Sequence, residues 1–172
     1  MPRCYLVCGP TSCGNRLVTR LLVAAGCAGH GGHYQPWDLR GQWDRVTLPP
    51  AHGRNVVFFR SLPHGVDGCW LDLHRLLDNI QQSGYDPFGV VTVRDPTCSE
   101  RSHIRNHACT GDFHRAYHMI FSAIGDLPWT FAVYESLILG DLAAVNGLLE
   151  RCGLPPLPEL PESLRNENHK HW

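Results

Sequence analysis

Lysine is all but absent. Of the fifteen basic residues in this 172-residue chain, only Lys170 is a lysine. Every other fixed cationic role falls to arginine, whose planar fork favours two-pronged contacts with anions. The arginines are dispersed along the chain, and the formal net charge is −1. That combination excludes a general attraction to nucleic acid or to a membrane surface. No segment approaches the ~20 consecutive apolar residues of a membrane span, and no apolar stretch of signal-peptide length precedes the first glycine. The eight cysteines contain no C-x-x-C pair. Cys4, Cys8, Cys69 and Cys152 lie in or beside apolar runs, so buried, reduced thiols in a cytoplasmic protein are expected rather than a disulfide framework. H-E-x-x-H is missing too. His103 and His107, like His114 and His118, are spaced to share a helix face, but histidines on helices are often surface residues, and no metal is expected. What is present is apolar material: 43% of the chain is hydrophobic, enough for one compact domain over residues 1–172.

The most informative stretch is the first. A short apolar run ends at Cys8, a glycine-bounded loop covers Gly9 to Gly14, and Leu17, Val18, Leu21 and Leu22 then recur at helical spacing. Strand, glycine loop and helix in this order form an anion-binding cradle, because successive N–H groups point into one concavity at the positive end of the helix dipole. The magnesium-dependent version of such a loop reads G-x-x-x-x-G-K-[ST]. Here Gly9 and Gly14 keep that spacing, but Asn15 stands at the lysine and Arg16 at the metal-ligating hydroxyl. Arginine offers no lone pair to a metal. The loop therefore reads as an anion site without magnesium, or as a plain glycine turn between a core strand and a helix.

Further along, Ala28 to Pro50 shows no periodicity and carries His30, His33, Tyr34, Trp37 and Trp43; it reads either as a self-packed surface loop or as a substrate lid. Apolar runs at Asn55–Arg60, Phe88–Arg94 and Trp129–Tyr134 read as strands. Helices are expected from Cys69 to Gln82, from Ser99 to about Asn106, from Asp112 to Ile124 and from Leu137 to Leu149. Gly84 to Pro87 reads as a break, and Trp70, Tyr117 and Phe121 as core. Strands that alternate with helices and are apolar throughout imply a parallel sheet covered on both faces, a three-layer α/β sandwich of P-loop-like type. Ligands of such sheets bind beyond the carboxyl ends of the strands. The loop after Cys8, Arg60 with His64, and Arg94 all fall at that edge.

Gly9-Pro10-x-Ser12-x-Gly14-x-Arg16 resembles the 5′-phosphosulfate loop of the sulfotransferase superfamily. Val93-Arg94-Asp95-Pro96 followed by Ser102 is similar to that family's second signature, an arginine ending a central strand with a serine eight positions later. Tyr134-Glu135-x-Leu137 and the tail segment Asn166 to Lys170 resemble carbohydrate-type members. The resemblance implies a small sulfotransferase whose donor is 3′-phosphoadenosine 5′-phosphosulfate and whose product is adenosine 3′,5′-bisphosphate. It assigns the 5′ end to Ser12, Cys13, Gly14, Asn15 and Arg16, and the 3′-phosphate to Arg94 and Ser102. Lys170 would assist from the tail. The acceptor would be a small molecule or a carbohydrate.

The chemistry asks for two further groups. Negative charge grows on the oxygen that bridges sulfur and phosphorus, and fixed N–H donors with a guanidinium stabilise it without reorganising. Arg60 is the candidate, against the competing role of structural partner to a helix carboxylate. The acceptor hydroxyl loses a proton, and a histidine suits that step. His64 is the candidate, against the competing role of a turn histidine. Two other functions stay open: a P-loop kinase or nucleotide hydrolase, and a non-catalytic sulfotransferase-like protein that binds a nucleotide or a partner.

Overall fold

The computed structural model describes residues 1–31, 37–39, 42–64, 69–107, 112–139 and 142–162. Seven strands and six helices are formed among them: β1 (Arg3–Pro10), α1 (Asn15–Ala24), β2 (Ala28–Gly29), β3 (Asp38–Leu39), β4 (Gln42–Val46), β5 (Val56–Leu62), α2 (Leu73–Gln82), β6 (Asp86–Val93), α3 (Pro96–His107), α4 (Phe113–Ile124), β7 (Trp129–Val133), α5 (Tyr134–Ile138) and α6 (Leu142–Cys152). A five-stranded sheet in the order β2-β5-β1-β6-β7 forms the centre. All four of its pairings are parallel. β1 is the middle strand, with β5 on one side and β6 on the other.

Alternation along the strands divides the core in two. Tyr5, Val7, Val57, Phe59, Phe88 and Val90 face α1, α5 and α6. Cys4, Leu6, Cys8, Phe58, Leu62 and Val91 face α2 and α4. With both faces covered, the strands carry apolar residues at nearly every position. The helices start where side chains replace missing backbone partners: Asp72 accepts from the N–H of Arg75, and Asp112 from that of Arg115. Among the described residues, no helix is long and apolar enough to cross a membrane.

Several expectations change. The stretch from Ala28 to Pro50 contains the fifth sheet strand, β2, and an antiparallel pair, β3–β4. Asp86 and Pro87, expected as part of a break, open β6. Asp86 donates its N–H to Pro2 on the β1 side, so Pro87 faces the other way. Pairing with β7 begins only at Gly89 opposite Trp129, so no ladder bond is asked of Pro87. The expected last helix is two helices, α5 and α6. Cys69 is exposed, while Cys4, Cys8 and Cys152 are buried as expected. Phe121, expected in the core, is 39% exposed, because β7 is an edge strand and nothing described covers that side.

Candidate functional site

The loop from Thr11 to Gly14 lies beyond the carboxyl end of β1, where the neighbouring strands β5 and β6 lead away to opposite sides of the sheet. Open parallel sheets bind ligands in such a crevice. The backbone there is bent twice into the left-handed region, at Ser12 (φ 71°) and Gly14 (φ 93°). Gly14 is also required by space, since a Cβ on it would overlap the Tyr134 ring. Ser12 has no such freedom and holds a conformation that costs a non-glycine residue on the order of 1 kcal/mol.

Polar side chains beneath the loop hold this shape. Thr11 donates its N–H to Leu62 and its hydroxyl to Pro63, which ties the loop to the end of β5. Asn15 is 4% exposed. Its Nδ2 donates to the Gly9 and Pro10 carbonyls and to Ser61 Oγ at 2.9 Å. Its Oδ1 accepts from the Thr92 hydroxyl. One amide thus joins the loop to β5 and β6, and its side chain is unavailable to a ligand. Cys13 also turns inward, 1% exposed, with Sγ 3.4 Å from Ser99 Oγ. Burial raises its pKa, so it sits there as a neutral thiol. Both side chains are spent on the floor of the loop, so any part that Asn15 and Cys13 play toward a ligand falls to their backbone. The N–H groups of Ser12, Gly14 and Asn15 make no hydrogen bond among the described residues. The Arg16 side chain is exposed at the start of α1.

Arg94 follows the end of β6 and leans over the loop. Its Nη1 donates to the Ser12 carbonyl at 2.9 Å, and its guanidinium lies 4.4 Å from the Tyr134 ring centre. Its Nε is buried and has no hydrogen-bond partner among the described residues. The N–H of the next residue, Asp95, donates to Glu135, and the Asp95 carboxylate caps α3 by accepting from Cys98. Ser102 lies half-buried on α3. The structure therefore brings Ser12, Cys13, Gly14, Asn15 and Arg94 together. Lys170 lies outside the described residues, as do His33 and Tyr34.

Arg60 does not join this group, and its expected role is corrected. β5 runs two residues beyond it, to Leu62, so its side chain leaves the sheet on the α2 face instead of at the edge. The residue is 0% exposed. Nη2 pairs with Asp38 at 2.7 Å, Nε donates to the Trp43 carbonyl and Nη1 to that of Phe59. Burial pulls its pKa down while Asp38 opposes that shift. Arg60 latches β3–β4 onto β5; it is not presented to a ligand.

His64 lies just past β5, one residue beyond the Pro63 carbonyl that anchors Thr11. It is 9% exposed, with its ring 5.0 Å from that of Trp43. Its backbone pairs with Cys69 in both directions. Burial first, then the Arg60 charge, lowers its pKa to about 4, against a smaller opposing pull from the Ser61 backbone. The imidazole is therefore neutral at physiological pH, and its buried Nδ1 has no hydrogen-bond partner among the described residues. Among the described residues, no group of three His, Cys, Asp or Glu side chains is placed to hold a metal ion.

Sequence reading missed Ser61, Thr92 and Tyr134 as parts of the site. Thr92 had a visible signal, since a lone hydroxyl in the run Phe88–Val93 must be satisfied inside the sheet. No family model matches the chain, and no curated protein matches it.

Proposed function

We propose that this protein is a sulfotransferase-like, P-loop-like domain that binds 3′-phosphoadenosine 5′-phosphosulfate at the Thr11–Arg16 loop and moves its sulfuryl group to a hydroxyl acceptor. The carrying observation is the loop itself. Ser12, Gly14 and Asn15 leave N–H groups at the start of α1 that are unengaged among the described residues, while the Asn15 and Cys13 side chains are turned into the floor. An anion supplies what those donors lack. The buried, unpartnered Nε of Arg94 beside the loop fits the same need. The sheet order, with β1 between β5 and β6, supports the comparison with phosphate-loop folds.

The donor supplies an activated sulfuryl group when bound. The acceptor oxygen forms the new O–S bond as the bond from sulfur to the bridging phosphate oxygen breaks. In this chain the backbone N–H groups of the loop stabilise the departing phosphate without reorganising. Arg94 holds the loop through Ser12 and adds a positive charge beside it. The acceptor proton passes to a neutral imidazole, and burial keeps that of His64 neutral. An imidazole with so low a pKa holds that proton weakly, so its part is to take it late and release it readily.

A second reading has its own support. Arg60 is spent on Asp38, and His64 Nδ1 is buried. A chain that holds the nucleotide without transferring a group accounts for both. Two measurements separate the readings. Adenosine 3′,5′-bisphosphate is expected to raise the melting temperature well beyond adenosine 5′-monophosphate; a hundredfold excess over Kd stabilises by about 2.7 kcal/mol. Equal shifts from the two nucleotides would remove the 3′-phosphate site. Incubation with labelled donor and a cell extract, read by mass spectrometry, is expected to yield a product that gains one sulfuryl group. Binding with no such product selects the non-catalytic reading.

A further inference from the structure

β7 is the last strand of the central sheet, and among the described residues nothing pairs with its outer edge. The direction of its backbone groups is fixed. The Gly89 N–H donates to the Pro128 carbonyl, and Gly89 registers with Trp129. Thr130 and Ala132 therefore turn their N–H and C=O toward β6, and Trp129, Phe131 and Val133 turn theirs outward. An open row of this kind is a template for another strand.

Both faces beside the edge are shaped for side chains. On one, Trp129, Phe131 and Val133 are 38%, 41% and 43% exposed. The Phe121 ring stands 5.7 Å from Trp129 and 6.1 Å from Phe131, which widens this into an apolar strip. On the other lies a cavity of about 280 Å³ lined by Ala132, Val133, Ala143, Gly147, Leu148 and Arg151 among others. Arg151 stands at the edge: its Nε donates to Thr130 Oγ1 at 3.0 Å, and Nη2 reaches the outward carbonyl of Phe131 at 3.4 Å.

We propose that the β7 edge takes up an extended peptide of a partner protein as a sixth strand, with an acidic side chain of that peptide on Arg151. The outward N–H and C=O groups supply main-chain bonds. The aromatic strip and the cavity receive alternate side chains, as strand addition requires. Charge decides the occupant. Antiparallel pairing of two copies about a two-fold through Phe131 sets each Arg151 beside its own counterpart, like charge against like. A carboxylate from a different chain meets Arg151 with opposite charge and a forked geometry.

The test uses the full chain and two blocked octapeptides of alternating valine and threonine. One carries a central glutamate, the other lysine at that position. The glutamate peptide is expected to slow amide exchange at Trp129, Phe131 and Val133, followed by NMR, and to leave Thr130 and Ala132 unchanged. The lysine peptide is expected to bind at least tenfold more weakly, and Arg151→Glu to reverse the preference. If that variant does not fold, the two peptides on the unaltered chain still decide. Three results overturn the proposal: no protection at millimolar peptide; protection without peptide in a species of twice the mass, which assigns the edge to a second copy; and protection in the free monomer, which assigns it to this chain itself.

Discussion

Arg60 and Arg94 occupy matching places in the chain. Each ends an apolar run, each run forms a strand flanking β1, and from sequence each is a cation at the ligand edge. In the structure one is a strut and the other faces the site. β5 continues two residues past Arg60, which keeps the guanidinium inside the sheet's period and under β3–β4. β6 stops at Val93, so Arg94 stands just past the strand and turns over the loop. Arg60 is 0% exposed and paired with Asp38, whereas Arg94 keeps a buried Nε without a partner among the described residues. Residue type did not separate them. Register against the strand end did, together with what lies on top.

The largest expected effect tests the strut. Arg60→Met takes the guanidinium away from the Asp38 carboxylate and from the Trp43 carbonyl. Breaking a buried pair from one side costs about 3–5 kcal/mol. Urea denaturation of Arg60→Met is expected to show a loss of that size, and Arg60→Met with Asp38→Leu to recover much of it. A variant of unchanged stability that no longer binds adenosine 3′,5′-bisphosphate would instead make Arg60 a ligand group and erase the contrast.

His64 senses the same strut. Its folded pKa, about 4, lies below the unfolded value near 6.5. The unfolded chain therefore takes up the proton first as pH falls. The stability held by the neutral imidazole is complete above about pH 6.5 and is lost down to about pH 4. The shift amounts to on the order of 3 kcal/mol. Denaturation midpoints between pH 7 and 4 are expected to fall less steeply in His64→Phe than in the parent chain. In Arg60→Met the fall attributable to His64 is expected to be smaller and to end at a higher pH, since the charge that helps lower the His64 pKa is gone. Parallel profiles for parent and His64→Phe would place the acid sensitivity elsewhere.

The parallel sheet and its glycine loop were legible because their signals are local: apolar runs, glycine spacing, then helical period. The rest was set by long-range partners. β2 is only Ala28 and Gly29, and it is a strand because Val56 and Val57 lie beside it. The β3–β4 pair has no alternation to read; it is fixed by Arg60, and by Asn79 accepting from the Val46 N–H. Asn15 stands where a ligand-binding lysine is usual, and it read as a ligand group. Its three-way role needs Ser61 and Thr92, 46 and 77 residues away in sequence. No window around residue 15 contains them.

Arg94 sharpens the contrast from the other side. Arg94→Ala is expected to weaken adenosine 3′,5′-bisphosphate binding by about 2–3 kcal/mol by titration calorimetry, as loss of a charge-assisted contact does. Its cost to folding is expected near 1 kcal/mol, since only the Ser12 bond and the stack on Tyr134 go. Arg94→Lys is expected to restore little, because an ammonium cannot reproduce the fork or the stack. A folding loss of several kcal/mol with affinity intact would make Arg94 a second strut.

The smallest effect belongs to Ser102. It sits on α3 eight residues beyond Arg94 and half-buried, and the resemblance to sulfotransferases assigns both side chains to the 3′-phosphate. Ser102→Ala removes a neutral hydroxyl, so a loss of about 1 kcal/mol in adenosine 3′,5′-bisphosphate affinity is expected. Adenosine 5′-monophosphate, which lacks that phosphate, is expected to bind parent and variant alike. The two substitutions are then not independent. With Arg94 already replaced, the phosphate is poorly held and the hydroxyl has less to grip, so the double variant is expected to lose less than the separate losses together. Groups that share one partner typically couple by about 0.5–3 kcal/mol. Additive losses within error would place Ser102 outside the phosphate site, leaving Arg94 to act on the ligand through the loop that it holds.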